Sequence, residues 1–176
     1  AQGEGAASFG ADSWMFYRTN CAYLAQLCET LKKRPYRFIH ISTSELYGST
    51  NYPAAEDAPI RATSPYSISK AAFDQHLNLL FRVHGFQMNI VRPSNCITAG
   101  QQLHRIVPRA SISAVYGQRL NLQGGGLAKK SFLDTEDLAK GLLVVMEKGT
   151  IGETYNIGPE NPTEISEVVG EVCKSA

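Results

Sequence analysis

Residues 37–48 read RFIHISTSELYG, an apolar segment followed at once by a polar one. The apolar part, residues 37–41, is short and partly β-branched, which predicts a buried strand. The polar part, Ser42–Gly48, then begins at the carboxyl end of that strand. In open α/β sheets, binding and catalytic sites form just beyond the carboxyl ends of the strands. We therefore expect the polar part to contribute to a site.

A helix start follows a predicted loop that extends to residue 63. Ser64 supplies a hydroxyl that can cap free backbone N–H groups, and Pro65 suits the first helical position. The pattern predicts a helix to about residue 84, and Gly85 is the expected end. Within it, Tyr66 and Lys70 are four residues apart, so they share one face of the helix.

Alternating helical and strand patterns continue on both sides of this region. We predict further helices at 13–33, 104–116, 135–148 and from 163, and further strands at 88–91, 131–133 and 154–157. This alternation predicts an α/β fold, a parallel sheet with helices on both faces. In helix 13–33, a buried stripe is predicted to comprise Trp14, Tyr17, Cys21, Leu24, Cys28 and Leu31.

The composition excludes several classes of protein. The formal net charge is +1, which gives no strong electrostatic basis for nucleic-acid or membrane-surface binding, although it is compatible with a local basic patch. No apolar run approaches the roughly 20 residues of a membrane span. The four cysteines form no Cys-x-x-Cys pair and no cluster with zinc-ligand spacing, so no metal site is expected. Reduced thiols in a cytoplasmic protein are the expectation.

The pair Tyr66 and Lys70 suggests proton transfer. A tyrosine phenol ordinarily has a pKa of about 10, and a nearby ammonium lowers that value. Near neutral pH such a tyrosine can exchange a proton with a substrate hydroxyl, which Thr43 can orient by a hydrogen bond. A third polar piece, residues 92–95, follows the next predicted strand and is expected at the same edge of the sheet.

Taken together, these pieces resemble the extended short-chain dehydrogenase/reductases that modify nucleotide sugars, which include 4,6-dehydratases, 4-epimerases, decarboxylases and reductases. The matching positions are Ala1, Gln2, Ser8, Asn20, Thr43, Tyr66, Lys70, Asn95 and the run 153–158. The resemblance implies a Rossmann-like fold. The family's N-terminal Gly-rich strand–turn–helix is missing from these 176 residues, so we expect the sequence to be part of a longer protein.

The resemblance also implies that two parts of the chain have different functions. Residues 1–100 are expected to be the C-terminal half of the dinucleotide-binding domain, with the catalytic residues. Residues 101–176 are expected to be mostly a nucleotide-sugar region, with some elements returning to the Rossmann core. A homodimer is implied through helices 13–33 and 65–84, with contacts from Phe16, Leu27 and Leu79.

Individual roles follow from the same resemblance. The catalytic candidates are Thr43, Glu45, Tyr66 and Lys70. The candidates for binding NAD or NADP are Ala1, Gln2, Asn20, Ser42, Tyr66, Lys70, Pro93 and Ser94. The candidates for binding the nucleotide sugar are Ser44, Asn95, His104, Arg105, Arg109 and Lys130.

The implied reaction starts with oxidation of the sugar at C4, after which the proton at C5 is acidic. Glu45 lies where the family's dehydratases carry the base for that proton, which favours a 4,6-dehydratase-like reaction. The run Thr43–Gly48 is most similar to the GDP-mannose 4,6-dehydratase branch, whereas dTDP-glucose dehydratases usually carry Asp where Ser44 stands. A 4-epimerase, a related decarboxylase or reductase, and a non-catalytic sensor of the same fold remain as alternatives.

Overall fold

The computed structural model describes residues 9–10, 12–49 and 53–176. The helices are α1 (Ser13–Tyr17), α2 (Tyr23–Leu31), α3 (Pro65–His84), α4 (Ile106–Val115), α5 (Thr135–Lys148) and α6 (Ile165–Ser175). The strands are β1 (Phe38–Ile41), β2 (Met88–Pro93), β3 (Asn95–Ile97), β4 (Lys129–Lys130), β5 (Phe132–Asp134), β6 (Thr154–Ile157) and β7 (Thr163–Glu164). A π-helical turn (Arg18–Ala22) and 3-10 turns at Ser44–Tyr47 and Gln123–Gly126 complete the elements.

The chain divides into two compact units. Unit one contains the described residues up to Pro93 together with Lys140–Ile157, and unit two contains Ser94–Ala139 and Gly158–Ala176. The predicted functional division near residue 100 stays a prediction. Among the described residues, we find no helix whose length and apolar character would let it cross a membrane.

Unit one is built on a parallel sheet with the strand order β1-β2-β6. Met88 and Ile90 of β2 pack into a core with α3, whereas Asn89 between them accepts hydrogen bonds from Arg37. Arg37 also donates to the carbonyl oxygens of Val145 and Gly149 at the end of α5. Because successive strand residues point to opposite faces, α3 and α5 cover opposite faces of the sheet. The predicted fold class is confirmed.

The main core of unit one lies between the N-terminal helix, α3 and β2. Its fully or nearly fully buried members are Cys28, Phe73, Leu77, Leu80, Phe86, Met88 and Ile90. Burying apolar surface contributes about 25 cal/mol per Å², so this cluster is the main stabilising feature of the unit. It also fixes α3, the helix that carries Tyr66 and Lys70.

Helix α3 begins and ends where the sequence predicts. The Ser64 hydroxyl accepts from the backbone N–H of Ser67, and the Ser67 hydroxyl accepts in return from the backbone N–H of Ser64. This reciprocal capping box satisfies two N–H groups that a helix start otherwise leaves unpaired. Gly85 ends the helix at φ +64°, a left-handed conformation that glycine adopts without strain.

The predicted stripe of helix 13–33 is wrong in its first turns, and the helix ends at Leu31. Trp14 is 52% exposed and Tyr17 38%, whereas Phe16 is buried. The cause is the π-helical turn at Arg18–Ala22, since the extra residue of a π turn rotates the buried face. From the π-helical turn onward, the remaining stripe residues, Cys21, Leu24, Cys28 and Leu31, pack into the core as predicted. Phe16 is therefore a core residue and not a spare contact for a dimer.

Unit two is assembled from short elements. Strands β3 and β5 pair in parallel, β4 and β7 pair antiparallel, and α4 packs on α6. The sequence predicts β5 from the apolar residues within 131–133, but it predicts a loop where β3 lies and does not predict the two-residue strands β4 and β7, which are too short for a periodic pattern. Ala110 and Leu133 are its buried apolar side chains among the described residues.

Candidate active site

Lys70 lies in the second turn of α3 and is 1% exposed. Its ammonium donates a hydrogen bond of 2.6 Å to the backbone oxygen of Ile41, at the carboxyl end of β1. Burial lowers the pKa of Lys70 from 10.5 to about 8, and the carboxylate of Asp74 opposes this shift. The side chain therefore remains predominantly charged at neutral pH.

Tyr66 is half-buried in the first turn of α3, one turn before Lys70. The Ser69 hydroxyl donates to the Tyr66 carbonyl oxygen at 2.7 Å and accepts from the fully buried Asn20 side chain at 3.1 Å. Asn20 belongs to the π-helical turn, a feature that often occurs at functional sites. Asn20 thus ties the N-terminal helix to the turn that carries Tyr66.

Thr43 and Glu45 lie on the 3-10 turn that follows β1. The buried Thr43 accepts a hydrogen bond of 3.2 Å from the backbone N–H of Glu45, so Thr43 caps this turn. Gly48 closes the turn at φ +70°, and a Cβ there would lie 2.5 Å from the Arg61 carbonyl oxygen. Glycine is therefore required by both the backbone conformation and the close approach of the following loop.

The elements carrying the four catalytic candidates contact one another. Leu46 and Tyr47 of the 3-10 turn pack against Ala71 of α3, the residue after Lys70. The Lys70 hydrogen bond joins the same helix to the end of β1, directly before Ser42 and Thr43. Ser42 is buried there, and Pro93 is buried at the carboxyl end of the adjacent β2. The predicted placement at one edge of the sheet is confirmed for these elements, whereas the residue roles stay predictions.

A buried ionic cluster next to Lys70 was not predicted. Asp74, fully buried on α3, accepts from the Arg92 guanidinium at 3.1 Å, and the His40 imidazole lies 3.5 Å from its other oxygen. Arg92 also donates to the Tyr47 hydroxyl at 2.7 Å. That hydroxyl donates in turn to Asn156 of β6 at 2.8 Å. The cluster therefore links α3, all three strands of the sheet and the 3-10 turn.

Burial dominates the titration of this ionic cluster. It raises the pKa of Asp74, an effect that the Arg92 charge opposes. It also lowers the pKa of His40 to about 2, and the Lys70 charge adds to this. His40 is therefore a neutral packed residue, with its ring 4.7 Å from that of Phe73. One signal in the sequence was available, because Asp74 follows Lys70 by four residues on the same helix face.

Ser44 is half-buried at the start of the 3-10 turn in unit one, and the remaining candidates that the structure describes belong to unit two. Asn95 on β3 donates to the Ser131 carbonyl oxygen at 3.2 Å, and Ser94 before it is half-buried. Four are exposed side chains, His104 and Arg105 before α4, Arg109 in its first turns, and Lys130 on β4. Their roles stay predictions. Ala1, Gln2 and Ser8 lie outside the described residues.

Residues 1–158 match the model of the NAD dependent epimerase/dehydratase family. Among curated relatives, a dTDP-glucose 4,6-dehydratase of Haemophilus influenzae is 37% identical over 146 residues, which are 81% of this chain and 43% of the relative. The family match extends across both units and includes every residue of the candidate active site.

Solved structures agree with this match. A dTDP-glucose 4,6-dehydratase from Bacillus anthracis in complex with NAD superimposes with a TM-score of 0.87 at 33% identity, over 93% of this chain and 54% of that one. Another from Streptomyces venezuelae with NAD bound gives 0.92 at 27% identity, over 99% and 55%. The chain spans about half the length of these relatives. It belongs to the NAD dependent epimerase/dehydratase family.

Proposed function

We propose that the full-length protein is an NAD(P)-dependent nucleotide-sugar enzyme with a 4,6-dehydratase-like reaction through a 4-keto intermediate. The observation that carries the proposal is the buried ammonium of Lys70, anchored on Ile41 one helical turn after Tyr66. The same helix contacts the turn that bears Thr43 and Glu45. The 4,6-dehydratases among its relatives support this choice of reaction.

The residues present fit a dinucleotide. An ammonium carries three hydrogens, of which Lys70 gives one to the Ile41 carbonyl oxygen. A buried cation with donor capacity left suits the hydroxyl groups of a ribose. We propose that Asn20, Ser42 and Pro93 complete this side of the cofactor site. A bound nicotinamide would supply the hydride acceptor for C4 of the sugar and, after water is lost, the hydride donor for C6, with a proton added at C5.

The proposed first step oxidises the C4 carbon of the sugar. Tyr66 takes the proton of the C4 hydroxyl as the hydride leaves that carbon, while Thr43 orients the hydroxyl. The charge of Lys70, one turn away, favours the phenolate that this step requires. The half-buried position of Tyr66 leaves its ring partly accessible to a substrate, whereas Lys70 acts from below the surface.

The proposed second step eliminates water across C5 and C6. Glu45 takes the C5 proton, the C5–H electron pair forms the double bond, and the C6–O bond breaks. The proton that Glu45 has taken is then available to the departing oxygen. Glu45 then acts first as a base and afterwards as an acid. This double role is needed because the neighbouring Ser44 is too weak an acid to supply that proton. Asn95, His104, Arg105, Arg109 and Lys130 are the proposed contacts of the nucleotide sugar.

A 4-epimerase is the alternative reaction, since the same Tyr66 and Lys70 chemistry would serve it without Glu45. Incubation of the full-length protein with a panel of nucleotide sugars in deuterated water separates the two. Solvent deuterium at C5 together with loss of the C6 oxygen identifies a dehydratase. Inversion at C4 alone, with no deuterium at C5, contradicts the dehydratase and supports the epimerase.

Two variants test the residue roles in that assay. Tyr66→Phe removes the hydroxyl and is expected to lower formation of the 4-keto sugar by at least ~100-fold, the usual contribution of general acid–base catalysis. Glu45→Gln is expected to retain slow oxidation at C4 but lose elimination. Unchanged turnover in Tyr66→Phe would contradict the role proposed for Tyr66, whereas no turnover of any nucleotide sugar by the wild-type protein would favour a non-catalytic sensor. Exposed Glu147→Gln, on α5, is the matched control for Glu45→Gln.

We also propose a homodimer formed through the N-terminal helix and α3. Apolar side chains on these helices remain at least 42% exposed in the single chain: Trp14, Tyr23, Leu27, Ile68, Leu79 and Val83. Two-fold dimers are the commonest closed assemblies, and such a patch is a cost for a monomer in water. A cytoplasmic location completes the proposal, in keeping with four free thiols.

A further inference from the structure

Asp74 is the fully buried carboxylate closest in sequence to the Tyr66 and Lys70 pair. It lies one turn after Lys70 on α3 and is held by the Arg92 guanidinium at 3.1 Å. A carboxylate is almost never fully buried unless it is paired, and breaking such a pair strongly destabilises a protein. A neutral residue would fill this position at lower desolvation cost, so the charge calls for an explanation beyond packing.

The carboxylate acts on the charge of Lys70. Burial alone disfavours the ammonium, and Asp74 is the neighbouring charge that restores part of what burial removes. Burial raises the pKa of Asp74, and the positive charge of Arg92 opposes this effect and so favours the ionised carboxylate. Arg92 therefore favours the charge of Asp74, and Asp74 favours the charge of Lys70. Lys70 in turn favours the ionised phenol of Tyr66, one turn earlier.

Other charged and titratable groups lie on the elements that surround Lys70 and Asp74. They include His40 on β1, Glu45 and Tyr47 on the 3-10 turn, Arg92 on β2, His76, Arg82 and His84 on α3, and Tyr17, Arg18, Cys21, Tyr23, Cys28, Glu29 and Lys32 on or beside the N-terminal helix. His40 stays neutral because burial lowers its pKa to about 2. The Lys70 ammonium contributes to this lowering, and a neutral imidazole places no charge beside the ammonium.

We propose that Asp74, fixed by Arg92, is a positioning residue that keeps Lys70 charged in its buried site and thereby holds Tyr66 in its proton-accepting form. This inference rests on the proposed function. The Arg92 side chain also connects Asp74 to the turn that carries Glu45. It donates to the Tyr47 hydroxyl at 2.7 Å and to the Glu56 carbonyl oxygen at 2.9 Å. One buried ion pair would then organise both proposed proton-transfer groups.

The test is the pH profile of kcat/KM for the full-length protein and for Asp74→Asn. Without the carboxylate, Lys70 loses charge near neutral pH, and the phenolate of Tyr66 becomes less favourable. The acidic limb of the profile is then expected to move to higher pH by about one unit. Asp74→Glu keeps the charge and is expected to keep the limb near its original position. Glu147→Gln removes an exposed carboxylate and is the matched control.

A second variant covers the case in which Asp74→Asn fails to fold because Arg92 is left unpaired. The double variant Asp74→Asn, Arg92→Gln replaces the ion pair by a neutral hydrogen-bonding pair. It is expected to move the acidic limb in the same direction, since Lys70 again lacks its counter-charge. Thermal unfolding shows which variants are folded. If folded variants without the carboxylate retain the original limb, Asp74 is structural only and the inference is wrong.

A readout without turnover separates this inference from the proposed function. Ultraviolet difference absorbance follows tyrosinate formation, and subtracting the titration of Tyr66→Phe in each background isolates Tyr66. The Tyr66 titration is expected to move to higher pH in the Asp74→Asn background. If the wild-type protein converts no nucleotide sugar, the proposed function fails, while this titration still decides whether Asp74 controls Tyr66. An unmoved titration overturns the inference even where the enzyme is active.

Discussion

Helices α3 and α6 illustrate how differently the two units are built. Eight residues of α3 are buried, including Lys70 and Asp74, whereas α6 has no buried residue. Tyr66 and Lys70, two of the four catalytic candidates, therefore lie on a helix that is buried along much of its length. The basic candidates of unit two, Arg105, Arg109 and Lys130, are exposed.

The difference matches what each proposed task requires. A proton-transfer group depends on its pKa, and burial together with fixed neighbours is what sets a pKa. A cation that meets a phosphate needs only charge and reach, which an exposed side chain provides. Burying the charged groups of unit one therefore has a desolvation cost, which the exposed cations of unit two do not have. Stability measurements on matched residues of the two units test this difference.

The largest expected effect is in the core under α3. Leu77 is fully buried, and Leu77→Ala is expected to lower the free energy of unfolding by about 3 kcal/mol, through lost burial and the cavity left behind. Urea unfolding measures the change. Leu143→Ala, at a leucine of α5 that is 53% exposed, is the matched control and is expected to cost less than ~1 kcal/mol.

The same measurement applied to α6 tests the other side of the comparison. Val172 is half-buried on α6, and Val172→Ala is expected to cost at most about 1 kcal/mol. A cost for Val172→Ala as large as that for Leu77→Ala would contradict the distinction between a deeply packed unit one and a thinly packed unit two.

The next effect is the pH dependence that His40 gives unit one. Burial lowers the folded-state pKa of His40 to about 2, so between that value and about 6.5 only the unfolded state takes up this proton. The contribution of the neutral His40 to the stability of the folded state is therefore present above pH 6.5 and is lost as the pH decreases. From pH 6.5 to pH 5, the His40 contribution amounts to about 2 kcal/mol.

Denaturant unfolding of His40→Gln across this pH range measures that contribution. The variant is expected to lose less stability than the wild type between pH 6.5 and pH 5. His104→Gln, which replaces an exposed imidazole of unit two, is the control. Equal slopes for the wild type and His40→Gln would mean that the buried imidazole does not oppose protonation.

The sequence predicts the parts of this molecule that depend on neighbouring residues. The strand at 38–41 and the start and end of α3 follow from short apolar runs, Ser64, Pro65 and Gly85, all within a few residues of the feature they determine. The placement of Lys70 near the end of β1 follows from the general position of sites in such sheets. A local sequence pattern is sufficient to predict a feature that interactions between neighbouring residues determine.

The features that the sequence does not predict join distant parts of the chain. Arg92 and Asp74 are 18 residues apart, and Arg37 reaches the end of α5 across 108 residues. The π-helical turn reverses the expected exposure of Trp14 and Phe16, because a single inserted residue rotates a whole face. Such features depend on tertiary packing that a periodic pattern does not encode.

The smallest effect concerns the helix ends. Ser64→Ala removes the hydroxyl that caps α3 and is expected to cost about 1 kcal/mol of unfolding free energy. Its partner Ser67 then loses part of the capping box directly beside Tyr66, so turnover is expected to fall as well. At the start of α6, Glu164 makes no side-chain cap, and Glu164→Ala is expected to change stability by less than ~0.5 kcal/mol. Chemical denaturation of both variants measures the difference, and equal costs would show that the capping box adds nothing to the already buried α3.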